Sequence, residues 1–537
     1  MNERRRSIDQ RMESDVLVIG AGAAGIRATL AAADAGAEVI LACKGPFLRY
    51  GSTFGKTSSS WGIQAAWDSG APGDTVEDHY GESFEAGLGE ANPALVEILA
   101  SYAPERLRDL MKWGVRFRRE SDGGFVRVRA CFGNYARAFV LVSSDQYRKC
   151  MLEQIRRRPI RTLDDFQAVG LEVSEGMCVG ARGLRASVSP WRIRAGSTVL
   201  ACGGGASAFR MTMAHPSLVG SAYALAYDAG VEVVHMEFIQ FVLGTVWPHR
   251  GSFFPLYRLD RLIPVRNKTR DNVWDKCGLT DDLLDEAIRL RPSHIPFSCR
   301  DVSGMIDVAL ALELLEGGGL DRGGLETSLE GYRCGIEHFA HAFNGGVRID
   351  ERAETSLPGL FAAGEAAGGI HGADRLGGNM MAATQVFGAI AGVEAARRAI
   401  TLKGTLPSSP VRSGKIQARQ GGKTRLEWFS FELDDCAAAI GVVREPREMA
   451  RTLERIAELL DELETEFQLE KVDAETYYFL TQRARTIERV ATFGLKRSAS
   501  LGSHFRLDDP PKNWSAAWQG TAIESEAWAG SRDESPG

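Results

Sequence analysis

Long apolar runs are missing from this 537-residue chain, and so is any Cys-x-x-Cys. No stretch approaches the ~18 consecutive apolar residues of a membrane-crossing helix, so no transmembrane segment is expected. The nine cysteines, at 43, 131, 150, 178, 202, 277, 299, 334 and 436, are odd in number and scattered. A disulfide framework, a zinc ribbon or an iron–sulfur cluster carried by this chain is therefore not expected, and reduced thiols in a cytoplasmic protein are the simpler reading. Metal ligation is not expected either. A basic excess is absent too: the formal net charge is −6. That removes the bulk positive surface needed to neutralise phosphates, and with it general nucleic-acid binding. The first fourteen residues, Met1 to Ser14, are charged and have no apolar core, unlike a secretory signal.

What is present is ordinary globular composition, 44% hydrophobic and 25% charged, with length for three or four domains of ~150 residues or two large ones. Glycine is abundant, 59 residues against 19 prolines, which suits tight strand-to-helix turns and close backbone approach to a ligand.

The organisation is legible from patterning. Val16-Leu17-Val18-Ile19 is a short apolar run ending in Gly20-Ala-Gly22-Ala-Ala-Gly25; an alanine-rich helical stretch follows to about Ala35, and Glu38 to Cys43 reads as a second strand. Strand, glycine turn, helix and strand within about thirty residues form the βαβ unit of a dinucleotide-binding fold. Residues 51–63 are a Gly/Ser/Thr loop, 74–116 read as helices, and 164–200 as short strands closing on Ala201-Cys202-Gly203. Between about 237 and 343 aromatics, prolines and arginines rise and the glycine-turn signature disappears, as for an inserted domain. The nucleotide-fold signature returns at 345–392. Residues 401–424 look like an exposed linker. Met449, Leu453, Ile456, Leu459, Leu460, Leu463 and Phe467 then recur at helical spacing, a second helix over about 473–493 should pair with that one, and the tail beyond about Trp518 reads as disordered.

Glycines at 20, 22 and 25 permit the turn, let the backbone approach a pyrophosphate and seat the helix on the strand, while the helix N-terminus offers free N–H groups and a positive dipole end. Many such folds hold a ribose with an acid at the end of the second strand; here Cys43 and Lys44 stand there, and a thiol is a poor acceptor for hydroxyls. Cys43 reads rather as a small buried residue at a strand end, with ribose recognition coming partly from elsewhere. The turn does not distinguish FAD from NAD. Ala363-Gly364-Glu365 favours FAD, because a carboxylate on a strand returning to the same crevice suits a ribityl chain.

These blocks together resemble the flavoprotein family of fumarate reductase, succinate dehydrogenase and L-aspartate oxidase. The resemblance rests on the N-terminal GAGAAG, on Ala201-Cys202-Gly203-Gly204 where the family has Ala-Thr-Gly-Gly, and on Met236-Glu-Phe-Ile-Gln240-Phe241. It continues through His341-x-x-x-Gly345-Gly346, Gly359 to Glu365, and His371-Gly-Ala-Asp-Arg375-Leu-Gly-Gly-Asn379. It implies an α/β fold: a discontinuous Rossmann-like FAD-binding domain (1–236 and 344–400) with an inserted α+β capping domain (237–343). The linker (401–424) and a C-terminal helical domain (425–537) follow. It implies an FAD-dependent oxidoreductase that passes hydride between flavin and a carbon near a carboxylate. His341 falls on a family substrate histidine, with His338 one turn away if the segment is helical, and Arg375 falls on a family substrate arginine. An arginine fork pairs bidentately with carboxylate. As for cofactor contacts, the first turn offers Gly20, Gly22, Ala23, Ala24 and Gly25, and the second strand end Cys43 and Lys44. The loop offers Ser52, Thr53, Thr57, Ser58 and Gly62. The remaining candidates are Ala201, Cys202, Gly203, Glu365, Asn379, Met380 and Met381.

The chain departs from the family pattern in three places. Val242-Leu243-Gly244 replaces His-Pro-Thr. The family's proton-shuttling arginine lies in a glycine-rich stretch; here the region reads Tyr257-Arg258-Leu259-Asp260-Arg261-Leu262, so Arg258 or Arg261 could take the role, or both are surface residues. Ala499-Ser-Leu-Gly-Ser-His504 has lost an acid and an arginine. The loop from Gly51 to Gly62 has no histidine, so a dissociable, non-covalent FAD is expected. The expected substrate is a small acid or amino acid with one anionic end and one less polar end. The alternatives are an L-aspartate oxidase, an adenylylsulfate-reductase-like flavin subunit needing an iron–sulfur partner, and a flavoprotein whose own chemistry has decayed, kept for partner binding. Oligomeric state and electron acceptor are open at this stage.

Overall fold

The structure is a computed structural model describing residues 10–55, 61–67, 74–186, 189–260, 263–276, 281–405, 425–469 and 472–514. Strand β1 (Gln10–Ile19), helix α1 (Ala23–Asp34) and strand β2 (Val39–Ala42) build the expected βαβ unit. Both strands are fully buried at their carboxyl ends, as for parallel strands covered on two faces. Helix α2 (Val76–Ala86) starts on a capping box between Thr75 and Asp78, and helix α3 (Pro93–Lys112) on Asn92 with proline at its first position. Strands β3 (Ile160–Leu163), β4 (Phe166–Ser174), β5 (Met177–Arg185) and β6 (Ser189–Leu200) complete most of the main sheet.

Its order is β3-β2-β1-β6-β5-β4. Strand β6 runs parallel to β1, with Ile19 opposite Leu200. On the other side, its first half pairs antiparallel with β5, while Thr198–Leu200 pairs in parallel with β11 (Leu360–Ala362), far downstream in the chain. Sequence ends at Gly20, Cys43, Ala201 and Ala363 are thereby brought to one edge of the sheet, the place where open α/β sheets bind ligands.

Between β6 and β11 lies a second, antiparallel sheet: β7 (Ile239–Trp247), β8 (Ser252–Phe253), β9 (Leu325–Leu329) and β10 (Tyr332–Phe343), in the order β8-β7-β10-β9. Helix α4 (Gly304–Leu315) and neighbouring segments close its own apolar cluster, which includes Leu243, Leu256, Trp274, Ile306, Leu310 and Ile336. The 338–341 segment is therefore strand and not helix; its neighbours are long-range partners on β7, which a local periodicity does not reveal.

Helix α5 (Asn379–Thr401) returns across α1 against β6. Helix α6 (Leu426–Ala438), helix α7 (Pro446–Gln468) and helix α8 (Ala474–Lys496) follow, with α7 packed on α8 as their apolar stripes require. Most of the expected linker and the expected disordered tail lie outside the described residues. Among the described residues no helix is long and apolar enough to cross a membrane, all eight cysteines are free, and no cluster of His, Cys, Asp and Glu could hold a metal.

Candidate active site

A cavity of about 360 Å³ opens at the sheet edge where β1, β2, β6 and β11 end. Its floor is the first glycine turn. Gly20 has φ +112°, and a Cβ there would sit 2.3 Å from the Ala201 carbonyl oxygen; a Cβ on Gly25 would sit 1.7 Å from the Gly20 oxygen. Only glycine allows α1 to approach so closely. No side chain caps α1 at Gly22, and the Ala23 N–H reaches only Thr53 Oγ1 at 3.2 Å. A second helix, α5, also begins at the cavity, on Gly378 with φ +89° and again without a side-chain cap. Two uncapped helix N-termini facing one cavity suit a ligand with a diphosphate and further electron-rich edges.

Of the expected cofactor contacts, Gly20, Gly22, Ala23, Ala24, Cys43, Lys44, Ser52, Thr53, Gly62, Ala201, Cys202, Gly203, Glu365, Met380 and Met381 line this cavity. Gly25 does not; it packs the helix against the turn. Asn379 does not either: its side chain donates to Ser83 Oγ at 2.8 Å, and its Oδ1 sits 2.9 Å from His79 Nε2, deep behind the wall. Thr57 and Ser58 lie outside the described residues.

The electrostatics of the lining follow from burial. Cys43 Sγ donates to Leu163 O at 3.7 Å and faces the Asp164 carboxylate at 3.5 Å, and desolvation followed by that carboxylate pushes its pKa up, so it stays a neutral thiol. Burial likewise pushes Cys202 up to about 12. Lys44, whose ammonium lies 4.5 Å from the centre of the Phe479 ring, is brought down to about 8 by desolvation, against the opposing pull of Glu475. Glu365 Oε1 accepts the Phe343 N–H at 3.0 Å, and a Cβ on Gly204 would meet that oxygen at 2.1 Å. The bare Gly204 backbone is what lets the carboxylate lie in the wall, and burial raises its pKa.

His341 and Arg375 also line the cavity. Arg375 is 7% exposed. Its Nη2 donates to Gln240 Oε1 at 2.5 Å and its Nη1 to Leu376 O at 3.3 Å. No carboxylate lies within ion-pair distance among the described residues; the adjacent Asp374 is taken by Ser298 Oγ at 2.7 Å and Arg300 Nε at 3.1 Å. Desolvation brings Arg375 down to about 10, still charged at neutral pH. His341, half-buried, is lowered to about 4 by desolvation and then by Arg375, and is neutral. The Phe253 ring meets its imidazole edge-on, centroids 5.6 Å apart at 73°.

The other candidates go elsewhere. Arg258 sits on the outer surface, 44% exposed, with Nη2 on Glu330 at 2.8 Å, and does not reach the cavity; nothing local distinguished it from a surface arginine. Arg261 lies outside the described residues. His338 points into the second sheet's core, where its Nε2 meets Asp307 Oδ1 at 3.0 Å while Arg291 grips the same carboxylate at 2.6 and 2.9 Å. His504 is held by Arg444 Nη1 at 2.5 Å, and Arg506 by Asp508. Val242, in place of the family histidine, is fully buried with Met213 and Phe339. Lining residues that sequence reasoning missed include Phe253, Met213, Ser217 and Phe166 to Ala168. They carry no motif; the run of aromatics around 253 was the one available signal.

Fold and site define a flavin-dependent oxidoreductase. The sequence pattern described as FAD binding domain matches residues 15–259 and 332–381. The chain is 30% identical to a fumarate reductase (CoM/CoB) subunit of Methanothermobacter marburgensis, over 93% of this chain and 95% of that protein. It is 28% identical to L-aspartate oxidase of Nostoc sp., over 96% and 94%. Among solved structures, Mycobacterium smegmatis Sdh1 in complex with UQ1 superposes with a TM-score of 0.77 at 25% identity, over 93% of this chain and 90% of that one. The chain belongs to the flavoprotein family of fumarate reductase and succinate dehydrogenase, and its cofactor is FAD.

Proposed function

We propose that this protein moves hydride between FAD and a carbon near the carboxylate of a small organic acid or amino acid. The observation that carries the reading is Arg375: a buried guanidinium with spare N–H donors and no protein carboxylate within ion-pair distance among the described residues, in the cavity that the dinucleotide turn also lines. A buried cation held only by neutral acceptors is costly, and an anionic substrate supplies the contacting charge.

Bound FAD supplies two-electron hydride chemistry at its N5. The chain's own residues do the rest. Gln240 fixes one edge of the Arg375 fork, so that the remaining N–H groups present a set direction to a carboxylate. Neutral His341 adds a hydrogen-bonding partner without a second charge. Met213, buried in the lining, keeps water from that wall. Holding the acid in one pose against the flavin is the principal contribution of such a site. FAD is proposed to be dissociable, because the loop from Gly51 to Gly62 offers no histidine for a covalent bond; acid precipitation should leave all yellow colour in the supernatant. The M. marburgensis relative is named as one subunit of its enzyme, which supports a separate electron-carrying partner here as well.

The deciding experiment is anaerobic titration of the yellow protein with L-aspartate, succinate and monocarboxylates. Bleaching by at least one acid, lost in Arg375→Ala, is the expected result. A flavin that no carboxylate perturbs, in absorbance or in binding, rejects the reading.

A further inference from the structure

We propose that the acid taken by this site is a monocarboxylate whose other end is a flat aryl group packed against Phe253, which makes Phe253 the residue that sets specificity. The inference rests on the hydride-transfer reading above and names its substrate class.

Charge comes first. Among the described residues that line the cavity, Arg375 is the one guanidinium. The other cation, Lys44, lies on the Phe479 ring beyond the first glycine turn, and His341 is neutral. One fixed cation at the substrate end matches one carboxylate. A second carboxylate would meet no second cation there, only the neutral His341, and its desolvation would go uncompensated by charge.

Two residues along β7 from Gln240, the strand carries an apolar residue. Val242 presents no hydrogen-bonding group and packs with Phe339 and Met213, and Met213 reaches through to the cavity. Gly244, two residues on, is what allows this. A Cβ there would lie 2.5 Å from Met213 Cε and 2.8 Å from Phe339 Cδ2. Any larger residue at 244 would push Met213 or Phe339 away.

Phe253 completes the surface. It sits on a two-residue edge strand, lines the cavity and remains 48% exposed. An aromatic ring left half wet at a cavity wall gains by being covered. Its edge-on contact with His341 leaves ring surface to receive another ring in the offset or edge-to-face arrangements that aromatic pairs prefer.

In the reductive direction the reaction balances as a 2-enoate taking two electrons and two protons. Hydride adds to the β carbon and a proton to the α carbon, giving the saturated acid, while reduced FAD is oxidised. The test supplies the electrons as dithionite. Reduced holoenzyme is mixed anaerobically with trans-cinnamate, crotonate or fumarate, and the return of the yellow band is followed. Separately, dissociation constants of the saturated acids hydrocinnamate, butyrate and succinate are read from shifts in the oxidised flavin spectrum. Cinnamate is expected to react about tenfold faster than fumarate, and hydrocinnamate to bind tightest. Phe253→Ala, at an exposed position, should weaken hydrocinnamate about tenfold and leave butyrate within about twofold. Fastest reaction or tightest binding with the dicarboxylate, or a Phe253→Ala effect equal for both monoacids, overturns the inference. Binding in the expected order with no electron transfer in either direction overturns the hydride-transfer reading and leaves the binding preference standing, so the two failures are told apart. Fumarate turnover that Arg261→Ala abolishes while cinnamate turnover survives would also overturn the inference, since it would reveal a second anion contact rather than a proton donor shared by both acids.

Discussion

At the scale of single residues, charge state decides what the site can do. Arg375 stays protonated and His341 stays neutral because the same burial acts on both, and the first suppresses the second. Arg375→Ala should therefore lower kcat/KM by on the order of 100-fold or more, the size expected for losing a charge-assisted fork; Arg375→Lys should recover only part, since a point charge cannot hold a carboxylate bidentately. Steady-state kinetics checks both. Lys44 gives a second expectation. With a pKa of about 8 it carries its charge below that value and loses it above. FAD affinity of the apoprotein should weaken as pH rises beyond 8, and Lys44→Met should flatten the profile in a fluorescence titration. Gly20 was legible in the sequence because the turn demands it, whereas Gly204, required by the distant Glu365 side chain, was reached only through the family resemblance. Phe253 was not, because its role comes from a neighbour 88 positions away, His341, and only the pairing of strands brings the two rings together.

At the scale of elements, the strand–turn–helix that opens the fold is the most constrained piece. Gly25→Ala should abolish FAD retention, because its Cβ would overlap the Gly20 carbonyl at 1.7 Å, a backbone atom with nowhere to go. Purification of a colourless protein would show this. The elements easiest to read were those with a local signature: β1, α1 and the apolar stripe of α7. Those missed depended on partners distant in sequence. The segment carrying His338 and His341 gave no clue that it was a strand until β7 was set beside it, and that placement sends His338 to Asp307 while His341 faces the cavity.

At the scale of the whole molecule, the carboxyl-terminal part ties the two sheets together. Trp514 is fully buried, stacks on Phe505 at 5.3 Å, and donates to the Asp301 carbonyl at 2.9 Å beside α4. Arg497 bridges Glu90, next to α3, and Glu237, which precedes β7, at 2.7 to 2.9 Å. Trp514→Ala should cost about 3–5 kcal/mol, read by denaturant unfolding. Acid should destabilise the fold as well. His79 and His341 are lowered to about 4, and His371 and His504 well below the usual value, all through burial first. The unfolded chain thus binds more protons between about pH 6.5 and 4, so stability is complete above 6.5 and falls as pH drops through that window. A thermal melt series from pH 8 to 4 checks the sign; His79→Gln should blunt the fall.

The sheet that carries the cofactor has one more implication. Its strand β6 is bordered by β1, near the start of the chain, and by β11, which is complete only at Ala362. During synthesis the early strands must wait for more than 150 further residues before the crevice acquires its last wall, Glu365 included. The intervening sheet, with its own apolar cluster, has all its strands by Phe343 and is free to collapse first. Flavin loading is thereby a late event in the life of each new chain, and a nascent chain arrested before Gly359 should emerge without the capacity to turn yellow.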